Sequence, residues 1–487
     1  MRRLLAATVL SGALLAGLLG GASTALAADI GANDDSGKYA EDFGAALYAE
    51  MAKLGLRQVV VPVRFKPSDP LTIQDKQLLD RTIPAALDAG LKVVLAAYPY
   101  PPRELEAGLG TPSLFGSYVA AVAEVYPEVK QFTIGNEPNQ PAFWRPQFDP
   151  EGRNVSAAAF GQYLATAYDA LKAVDPKIEI AGVGLSPRGN DRPDARNNIS
   201  TSPVRFLRAL GTWYRASGRD KPLMDAFGFH PYPNRATDPL DRGYTWPNAG
   251  FVNLDRMKQA LWDAFHGTPQ PTTLQGLKLN LDEVGWQVGT RGLPGYTGAE
   301  NVPVTDELTQ AQIYADLVRR AQCDPDVAQL SFFGFRDDGA RAGFQAGLDR
   351  LDGSARPAAA AVETAITEAA VGCAGLQSHW APGAQVVGAR VHVHARKPTL
   401  SVKVGAGEDV WIRVCAARPG ELIEASSIAS LPRSACQRAL VPGLHALDVL
   451  VPAPAGSRRR VEVRVDLHAQ ANPRRRTHVV KEAFLGD

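Results

Sequence analysis

Two stretches of this sequence end on a glutamate at the point where a strand is expected to stop. Residues 133–138 read Thr-Ile-Gly-Asn-Glu-Pro and residues 279–286 read Leu-Asn-Leu-Asp-Glu-Val-Gly-Trp, so the glutamates are Glu137 and Glu283. A carboxylate at the end of a strand is held at a rim that a substrate can reach. Two such carboxylates indicate acid–base chemistry on a glycosidic bond, because the leaving oxygen needs a proton and the anomeric carbon needs a partner for its developing positive charge.

Eight short apolar runs alternate with amphipathic, Ala-rich segments across the first 340 or so residues. Most of the runs are continuously apolar, as parallel strands buried on both faces should be. The alternation predicts an α/β fold closed as a (β/α)8 TIM barrel. A doubly wound open sheet is the alternative, but no G-x-G-x-x-G follows the first run. The eight runs are residues 29–32, 57–65, 91–98, 130–136, 178–185, 225–230, 277–283 and 328–335.

Long connections rich in Pro, Gly, Asn and Arg follow the fourth to seventh predicted strands. They are residues 138–154, 186–203, 231–252 and 285–304. Such connections lie at the carboxyl ends of the strands, where barrels of this class keep their active sites. The sequence therefore places an active site on the same rim as the two glutamates.

The two glutamate motifs together resemble the retaining glycoside hydrolases of clan A, and within that clan families 5 and 39. The similarity lies in Gly-Asn-Glu-Pro at the end of a fourth strand and Asp-Glu-Val-Gly-Trp at the end of a seventh, and it covers residues 29–372. It implies Glu137 as general acid and then base, Glu283 as nucleophile, and no cofactor. A spacing of about 5 Å between the two carboxyls would give retention of configuration. The alternative is that either glutamate is a charge at the barrel mouth, paired with an arginine.

Four further polar residues match positions that the clan uses around its carboxylates. The resemblance implies that Asn136 holds the sugar 2-hydroxyl, that Arg64 keeps Glu283 ionised, and that Tyr232 hydrogen-bonds Glu283. His230 would contact the sugar or the acid/base. The structural alternatives are a turn cap for Asn136, an ordinary salt bridge for Arg64 and a buried, hydrogen-bonded histidine for His230.

Aromatic residues near the predicted mouth are candidates for stacking on a sugar. Trp286 is the first choice, Trp144 is also assigned to the substrate site, and Trp246 and Tyr100 are further candidates; packing in the core is the alternative for each. Many clan members present a tryptophan after the eighth strand, whereas residues 331–338 here read Ser-Phe-Phe-Gly-Phe-Arg-Asp-Asp.

Asp282 adjoins the predicted nucleophile. Strand alternation predicts that it points to the opposite face from Glu283 and has a structural role.

The ends of the chain suggest an exported protein with two domains. Residues 1–27 have the basic, apolar and small-residue order of a signal peptide, which predicts a secreted chain beginning near Ala28, and no later segment is apolar enough to span a membrane. Residues 28–375 would form the barrel, and residues 376–487 a smaller β-sandwich. That tail is basic, which suggests contact with an acidic glycan rather than nucleic acid.

Four cysteines in an exported chain predict two disulfides. We favour Cys323 with Cys373 and Cys415 with Cys436, because each pair then lies within one domain. No spacing suggests a metal site, and a shared exposed strand face accounts better for His392 and His394 than a metal does.

The sequence as a whole predicts a secreted retaining glycoside hydrolase that cleaves O-glycosidic bonds by double displacement. Two alternatives remain open: a carbohydrate-binding barrel without turnover, and a transglycosylase that uses the same residues.

Overall fold

The structure is a computed structural model of the chain. It describes residues 28–369, 389–396, 399–406, 410–418, 436–441, 446–455, 460–469 and 476–485. The predicted signal peptide and the predicted domain boundary at residues 375 and 376 lie outside these ranges and stay predictions. Among the described residues, no helix is long and apolar enough to cross a membrane.

Eight parallel strands close into a barrel, which confirms the predicted fold. Each strand pairs with the next along the chain, and the eighth pairs with the first. The strands are β1 Asp29–Asn33, β2 Gln58–Phe65, β3 Lys92–Pro99, β4 Gln131–Ile134, β5 Glu179–Leu185, β6 Ala226–Phe229, β7 Lys278–Val284 and β8 Val327–Phe333.

Helices follow the strands, and two of them, α4 and α8, begin at a side-chain cap. At the start of α4, the Thr111 side chain accepts the N–H of Leu114 and Pro112 occupies the first turn. At the start of α8, the Asp306 carboxylate accepts two backbone N–H groups. The helices are α1 Ala45–Lys53, α2 Lys76–Asp88, α3 Pro102–Glu106, α4 Pro112–Val125, α5 Ser156–Val174, α6 Pro203–Ala216, α7 Leu254–Phe265, α8 Glu307–Cys323 and α9 Pro357–Ala369.

The barrel interior is filled near the amino ends of its strands. Gln329 donates to Gln131 across the interior at 3.1 Å, and Gln58 donates to Ser331 at 3.0 Å. These bonds give partners to the side-chain N–H groups of two buried amides, which would be costly to leave unpaired. The carboxyl ends of the strands therefore carry the open cavity.

The described part of the tail forms two antiparallel sheets with one shared apolar core, which confirms the predicted β-sandwich. The strand order is β13-β10-β9 in one sheet and β12-β11-β14-β15 in the other. The strands are β9 Arg390–Arg396, β10 Thr399–Gly405, β11 Val410–Ala417, β12 Cys436–Val441, β13 Ala446–Pro452, β14 Arg460–Ala469 and β15 Arg476–Phe484. Neither β12, which has only six residues, nor β15, whose residues are mostly exposed, was predicted from the sequence.

The Cys415–Cys436 disulfide joins β11 to β12, as predicted. Cys373 lies outside the described residues, so its pairing with Cys323 stays a prediction. His392 and His394 lie on the exposed face of β9. Arginines 458, 459, 474 and 475 lie outside the described residues, and the predicted contact of the tail with acidic glycans is likewise untested.

Candidate active site

The two predicted carboxylates meet at the barrel mouth, joined by one histidine. Nδ1 of His230, just after β6, lies 3.4 Å from Oε1 of Glu137 and 3.4 Å from Oε2 of Glu283. These two oxygens are therefore at most twice that distance apart. The side chain of His230 is 2% exposed, while those of Glu137 and Glu283 are 17% and 12% exposed. The carboxylates face a cavity from opposite sides, and the histidine lies beneath them.

Glu283 is held by donors on both oxygens. Asn33 Nδ2, at the end of β1, donates to Oε1 at 3.2 Å, and the Tyr232 hydroxyl donates to Oε2 at 2.9 Å. Burial, with the charge of Glu283, raises the pKa of Tyr232 well above its ordinary value, so the phenol keeps its proton. The Tyr232 contact is the one the sequence predicted. The contact of Asn33 with Glu283 was not predicted from the sequence. Only the position of Asn33 at the end of the first strand could have indicated it.

Burial and charge act in opposite directions on these groups. Burial raises the pKa of Glu283 to about 7, against the opposing effect of the His230 cation and the Tyr232 hydrogen bond. Burial also disfavours the charged form of His230, but Glu283 and Glu137 outweigh it and raise the His230 pKa to about 9. At neutral pH the site therefore holds an imidazolium between two carboxyl groups.

Glu137 depends on an unusual backbone. It has a φ of 41°, Gly135 has a φ of 108°, and the Glu137 N–H donates to the Gly184 carbonyl at 2.8 Å. That carbonyl belongs to a bulge in β5, where Val183 has a φ of 89°. A Cβ on Gly135 would lie 2.7 Å from the Val183 carbonyl oxygen, so only glycine allows the strands this close. Gly135 of the Gly-Asn-Glu motif therefore allows the backbone conformation that positions Glu137.

A second bulge, in β7, overturns the prediction for Asp282. Between Leu281 and Val284, two residues of β7, Asp282 and Glu283, lie opposite the single residue Ser331 of β8, which breaks the alternation of side chains. Asp282 accepts a hydrogen bond from Thr133 on β4 at 2.9 Å. Because β4 and β7 are not neighbours, this bond crosses the barrel interior. Asp282 thus lies on the inner side with Glu283, and burial raises its pKa to about 6.

Arg64 is in the cavity wall but does not pair with the nucleophile as predicted. Its Nε donates to the Tyr98 hydroxyl at 3.2 Å, and its guanidinium lies 5.4 Å from the centre of the Tyr100 ring. Within the described residues it forms no ion pair with Glu283. Two tyrosines at the end of β3, Tyr98 in the strand and Tyr100 just after it, hold the guanidinium, and His230 supplies the positive charge at the carboxylate.

Asn136 lines the cavity, and its side-chain amide has no hydrogen-bond partner among the described residues. The amide is therefore free to bind a substrate hydroxyl. The cavity has a volume of about 820 Å³ and also exposes Tyr98 and Phe143 in its wall, a size typical of small-molecule sites.

The predicted tryptophans lie in the core rather than in the cavity. Trp286 is 2% exposed, and its Nε1 donates to the Asp238 carbonyl at 2.9 Å. Glu283, Gly285 and Gln287 line the cavity, so the residue between the last two points away from it. Trp144, 5% exposed, packs edge-on against two rings of α5. Trp246 is also buried, at 7% exposed.

Phenylalanines take the place of the tryptophan that the clan presents after its eighth strand. Phe333, at the end of β8, and Phe344 both line the cavity, with ring centres 5.1 Å apart. The Tyr232 ring packs edge-on against both, at 6.2 Å and 5.5 Å. This cluster provides an apolar wall beside Glu283. The only sign of this aromatic cluster in the sequence was the pair of phenylalanines after the eighth strand, where a tryptophan was expected.

No known family model matches the chain, and no curated protein matches it in sequence. Solved structures similar to it include a family 39 glycoside hydrolase from Bacteroides cellulosilyticus WH2, with 14% identity over 88% of this chain and 81% of that chain and a TM-score of 0.47. A glucosidase from Croceicoccus marinus has 11% identity over 95% of this chain and 96% of that chain, with a TM-score of 0.45. A GH5_18 structure from Streptomyces cattleya, in complex with GlcNAc, has 17% identity over 71% and 81% of the two chains, with a TM-score of 0.47. At this level of similarity the chemistry has to be argued from the side chains of the site itself.

Proposed function

We propose that this chain is a retaining glycoside hydrolase that cleaves O-glycosidic bonds in an oligo- or polysaccharide. The observation that carries the proposal is the contact of one buried imidazole nitrogen with both Glu137 and Glu283, at 3.4 Å each, in an open cavity. Retaining enzymes place their carboxyls roughly 5 Å apart and inverting enzymes about 6.5–9.5 Å apart. An upper limit of twice 3.4 Å between the two oxygens excludes most of the inverting range and so supports the retaining arrangement.

The contacts favour Glu283 as nucleophile. Both of its oxygens accept hydrogen bonds from neutral donors, which orient the carboxylate and favour its ionised form. Glu137 has His230 as its side-chain partner within the described residues and is the more exposed carboxyl, as suits a group that exchanges protons with substrate and water. The roles are those implied by the motifs.

The reaction then runs in two displacements. The Glu283 carboxylate attacks the anomeric carbon while the Glu137 carboxylic acid gives its proton to the glycosidic oxygen, so the C–O bond breaks and the leaving sugar departs as an alcohol. In the second step the Glu137 carboxylate takes a proton from water, and the water oxygen displaces Glu283 from the anomeric carbon. Two inversions give net retention, and the general acid is regenerated.

Glutamine variants test the assignment of roles. Glu137→Gln should reduce turnover of a natural glycan by about 10²–10⁴-fold, the range of general acid–base catalysis. With an aryl glycoside whose leaving group needs no proton, the same variant should still release the phenol in a first burst. Glu283→Gln should release no phenol, because no glycosyl-enzyme can form.

Glu151→Gln is a matched control, since Glu151 lies in the loop after β4 with its side chain 65% exposed. It should behave as wild type. Normal hydrolysis by either active-site variant would remove the proposal. Tight glycan binding without released reducing ends would favour the binding protein, and larger oligosaccharide products would favour the transglycosylase.

Export is part of the same proposal and is supported by the residue order of the first 27 positions. Mass spectrometry of protein collected from the medium should find a chain that begins near Ala28. A cell-retained chain that keeps Met1 would contradict secretion.

A further inference from the structure

The cavity wall carries positive charge that the proposed reaction does not use. Four arginines line it: Arg64 near the end of β2, Arg188 after β5, Arg235 after β6 and Arg336 after β8. Arginines at a cavity can be solvated surface groups or ligand-binding groups. The partners of the charged groups around the cavity distinguish these roles.

The carboxylates of the wall other than the catalytic pair are already occupied. Asp34 accepts backbone N–H groups from Ser36, Phe335 and Arg336 at 2.8–3.0 Å. Asp337 forms a bidentate pair with Arg356 at 2.6 Å.

The two remaining acidic residues of the wall also have partners. Asp35 lies 3.2 Å from the ammonium of Lys38, and Asp338 accepts the Phe344 N–H at 2.7 Å. None of these four carboxylates forms an ion pair with Arg64, Arg188 or Arg235 among the described residues.

Three of the four arginines have no carboxylate partner in the described part of the chain. Arg188 donates one hydrogen bond to the Asn234 carbonyl at 3.2 Å, and Arg64 donates to the Tyr98 hydroxyl. The Arg235 side chain forms no hydrogen bond or ion pair with any described residue, although its carbonyl accepts the Asp238 N–H at 2.9 Å. Arg336 differs, since it lies 3.9–4.0 Å from Asp349 and Glu50. The guanidinium groups without a carboxylate partner are therefore those of Arg64, Arg188 and Arg235. Arg188 and Arg235 lie near each other, because Arg188 contacts the carbonyl of Asn234, the residue before Arg235.

Arg188 is also tied to the proposed acid/base. The Gln140 side chain donates to the Arg188 carbonyl, and the Gln140 N–H donates to the Glu137 carbonyl at 2.8 Å. The backbone of Arg188 is thus fixed relative to Glu137, the residue that protonates the leaving group. Arg188 therefore lines the cavity on the side of Glu137, where the leaving sugar of the proposed reaction would lie.

We propose that the substrate is an anionic glycan, whose carboxylate or sulfate group on the leaving-group side is bound by Arg188 and Arg235. This inference rests on the proposed function. A guanidinium matches a carboxylate or sulfate with two parallel hydrogen bonds, and such charge-assisted bonds are about twice as strong as neutral ones. The site differs from the basic tail, whose arginines lie in another part of the chain.

The test measures binding without turnover. Glu283→Gln protein is titrated calorimetrically with oligosaccharides from uronate-containing and from sulfated polysaccharides, each beside its carboxyl-reduced or desulfated counterpart. At least one charged member should bind about tenfold more tightly than its neutral counterpart, and this preference should shrink as salt rises. A preference among the uronate-containing oligosaccharides identifies a carboxylate as the bound group, and a preference among the sulfated ones identifies a sulfate.

Arginine variants then locate the effect. Adding Arg188→Ala and Arg235→Ala should abolish the preference for the charged member, while the affinity for its neutral counterpart stays within about twofold. Arg196→Ala is the matched control, because Arg196 is exposed in the same loop as Arg188 but does not line the cavity. It should retain the full preference.

Two results would overturn the inference. One is the absence of any preference for charged members, including no binding of any of them, and the other is a preference that survives the double arginine variant. Hydrolysis of glycans by the wild-type protein is scored separately. If the protein hydrolyses glycans but shows no charge preference, the proposed glycosidase activity is supported and the anionic substrate is contradicted. If it binds charged glycans selectively but hydrolyses none, the anionic ligand is supported and the glycosidase activity is contradicted.

Discussion

His230 is the residue through which the two carboxyl groups influence each other. Its Nδ1 is equidistant from Glu137 and Glu283, and its pKa of about 9 means that it is charged across the neutral range. A fixed cation beside a buried carboxylate favours the ionised nucleophile, which burial alone would protonate. The histidine is therefore a positioning and electrostatic residue, and it does not need to exchange a proton with the substrate.

Replacing His230 should move the acid limb of the pH–rate profile. In the wild type, kcat/KM should fall as pH drops below about 7, because Glu283 then gains a proton and cannot attack. His230→Asn keeps a hydrogen-bonding group but removes the cation that lowers the Glu283 pKa, so the limb should move to higher pH. Profiles recorded from pH 5 to 10 measure the shift. An unchanged limb in this variant would mean that His230 does not govern the nucleophile, and Glu151→Gln should leave the profile unaltered.

The sequence predicted the reacting side chains well and the binding side chains poorly, and there is a physical reason. Glu137, Glu283, His230 and Tyr232 follow barrel strands, so their place on the rim is set by the topology. Trp144 lies in a loop, where nothing in the sequence says that α5 covers its ring.

Arg64 shows the same limit at a strand end. It occupies the predicted position in β2, but its partners are the two tyrosines at the end of β3, which the motif does not include.

At the scale of elements, two bulges shape the active site. The bulge in β5 supplies the Gly184 carbonyl that holds the Glu137 backbone, and the bulge in β7 turns both Asp282 and Glu283 inward. Bulges are common beside active sites because they redirect a side chain without ending the strand. Counting residues along a regular strand cannot reveal them, which is why the prediction for Asp282 was wrong while the eight strands were correct.

The strained residue of the β5 bulge makes a test of this arrangement. Val183 is fully buried and has a φ of 89°, which costs a non-glycine residue of order 1–3 kcal/mol. Val183→Gly relieves that strain, whereas Val183→Ala keeps it and retains only one methyl group, worth about 0.8 kcal/mol. The glycine variant should therefore unfold at a higher temperature than the alanine variant.

This order is the reverse of that expected at an ordinary strand position, where glycine is less stable than alanine by roughly 0.5–1 kcal/mol. Val61, buried in β2, gives the ordinary order as a control when it is replaced in the same two ways. Calorimetric scans of the four variants compare the pairs directly. An alanine variant at position 183 that is the more stable would show that the bulge is not strained.

At the scale of the whole molecule, the barrel keeps several ionisable groups away from water at one end of a large apolar core. Burial raises the pKa of Asp282 to about 6 and that of Glu283 to about 7. Between their ordinary and raised pKa values the folded chain holds protons that the unfolded chain releases, so the free energy of unfolding falls as pH rises through this window.

His230 changes stability in the same direction. The stability that comes from its raised pKa is fully present below the pKa of a histidine in the unfolded chain, and it is lost as pH approaches 9. Carboxylates with lowered pKa values, such as Asp169, instead lose their contribution only in acid.

We therefore expect the buried ionisable groups of the active site to lower the stability of the protein in alkali. Glu283→Gln removes the ionisation and keeps an acceptor for Tyr232, so at pH 9 the variant should exceed the wild type in free energy of unfolding by roughly 1–3 kcal/mol. At pH 5, where Glu283 is protonated in the folded state, the difference should shrink towards zero. Urea unfolding at pH 5, 7 and 9 measures both proteins, with Glu151→Gln as the charge-matched control that should follow the wild type. A difference that does not grow with pH would show that Glu283 is ionised in the folded protein at little cost, and the proposal that burial raises its pKa would have to be withdrawn.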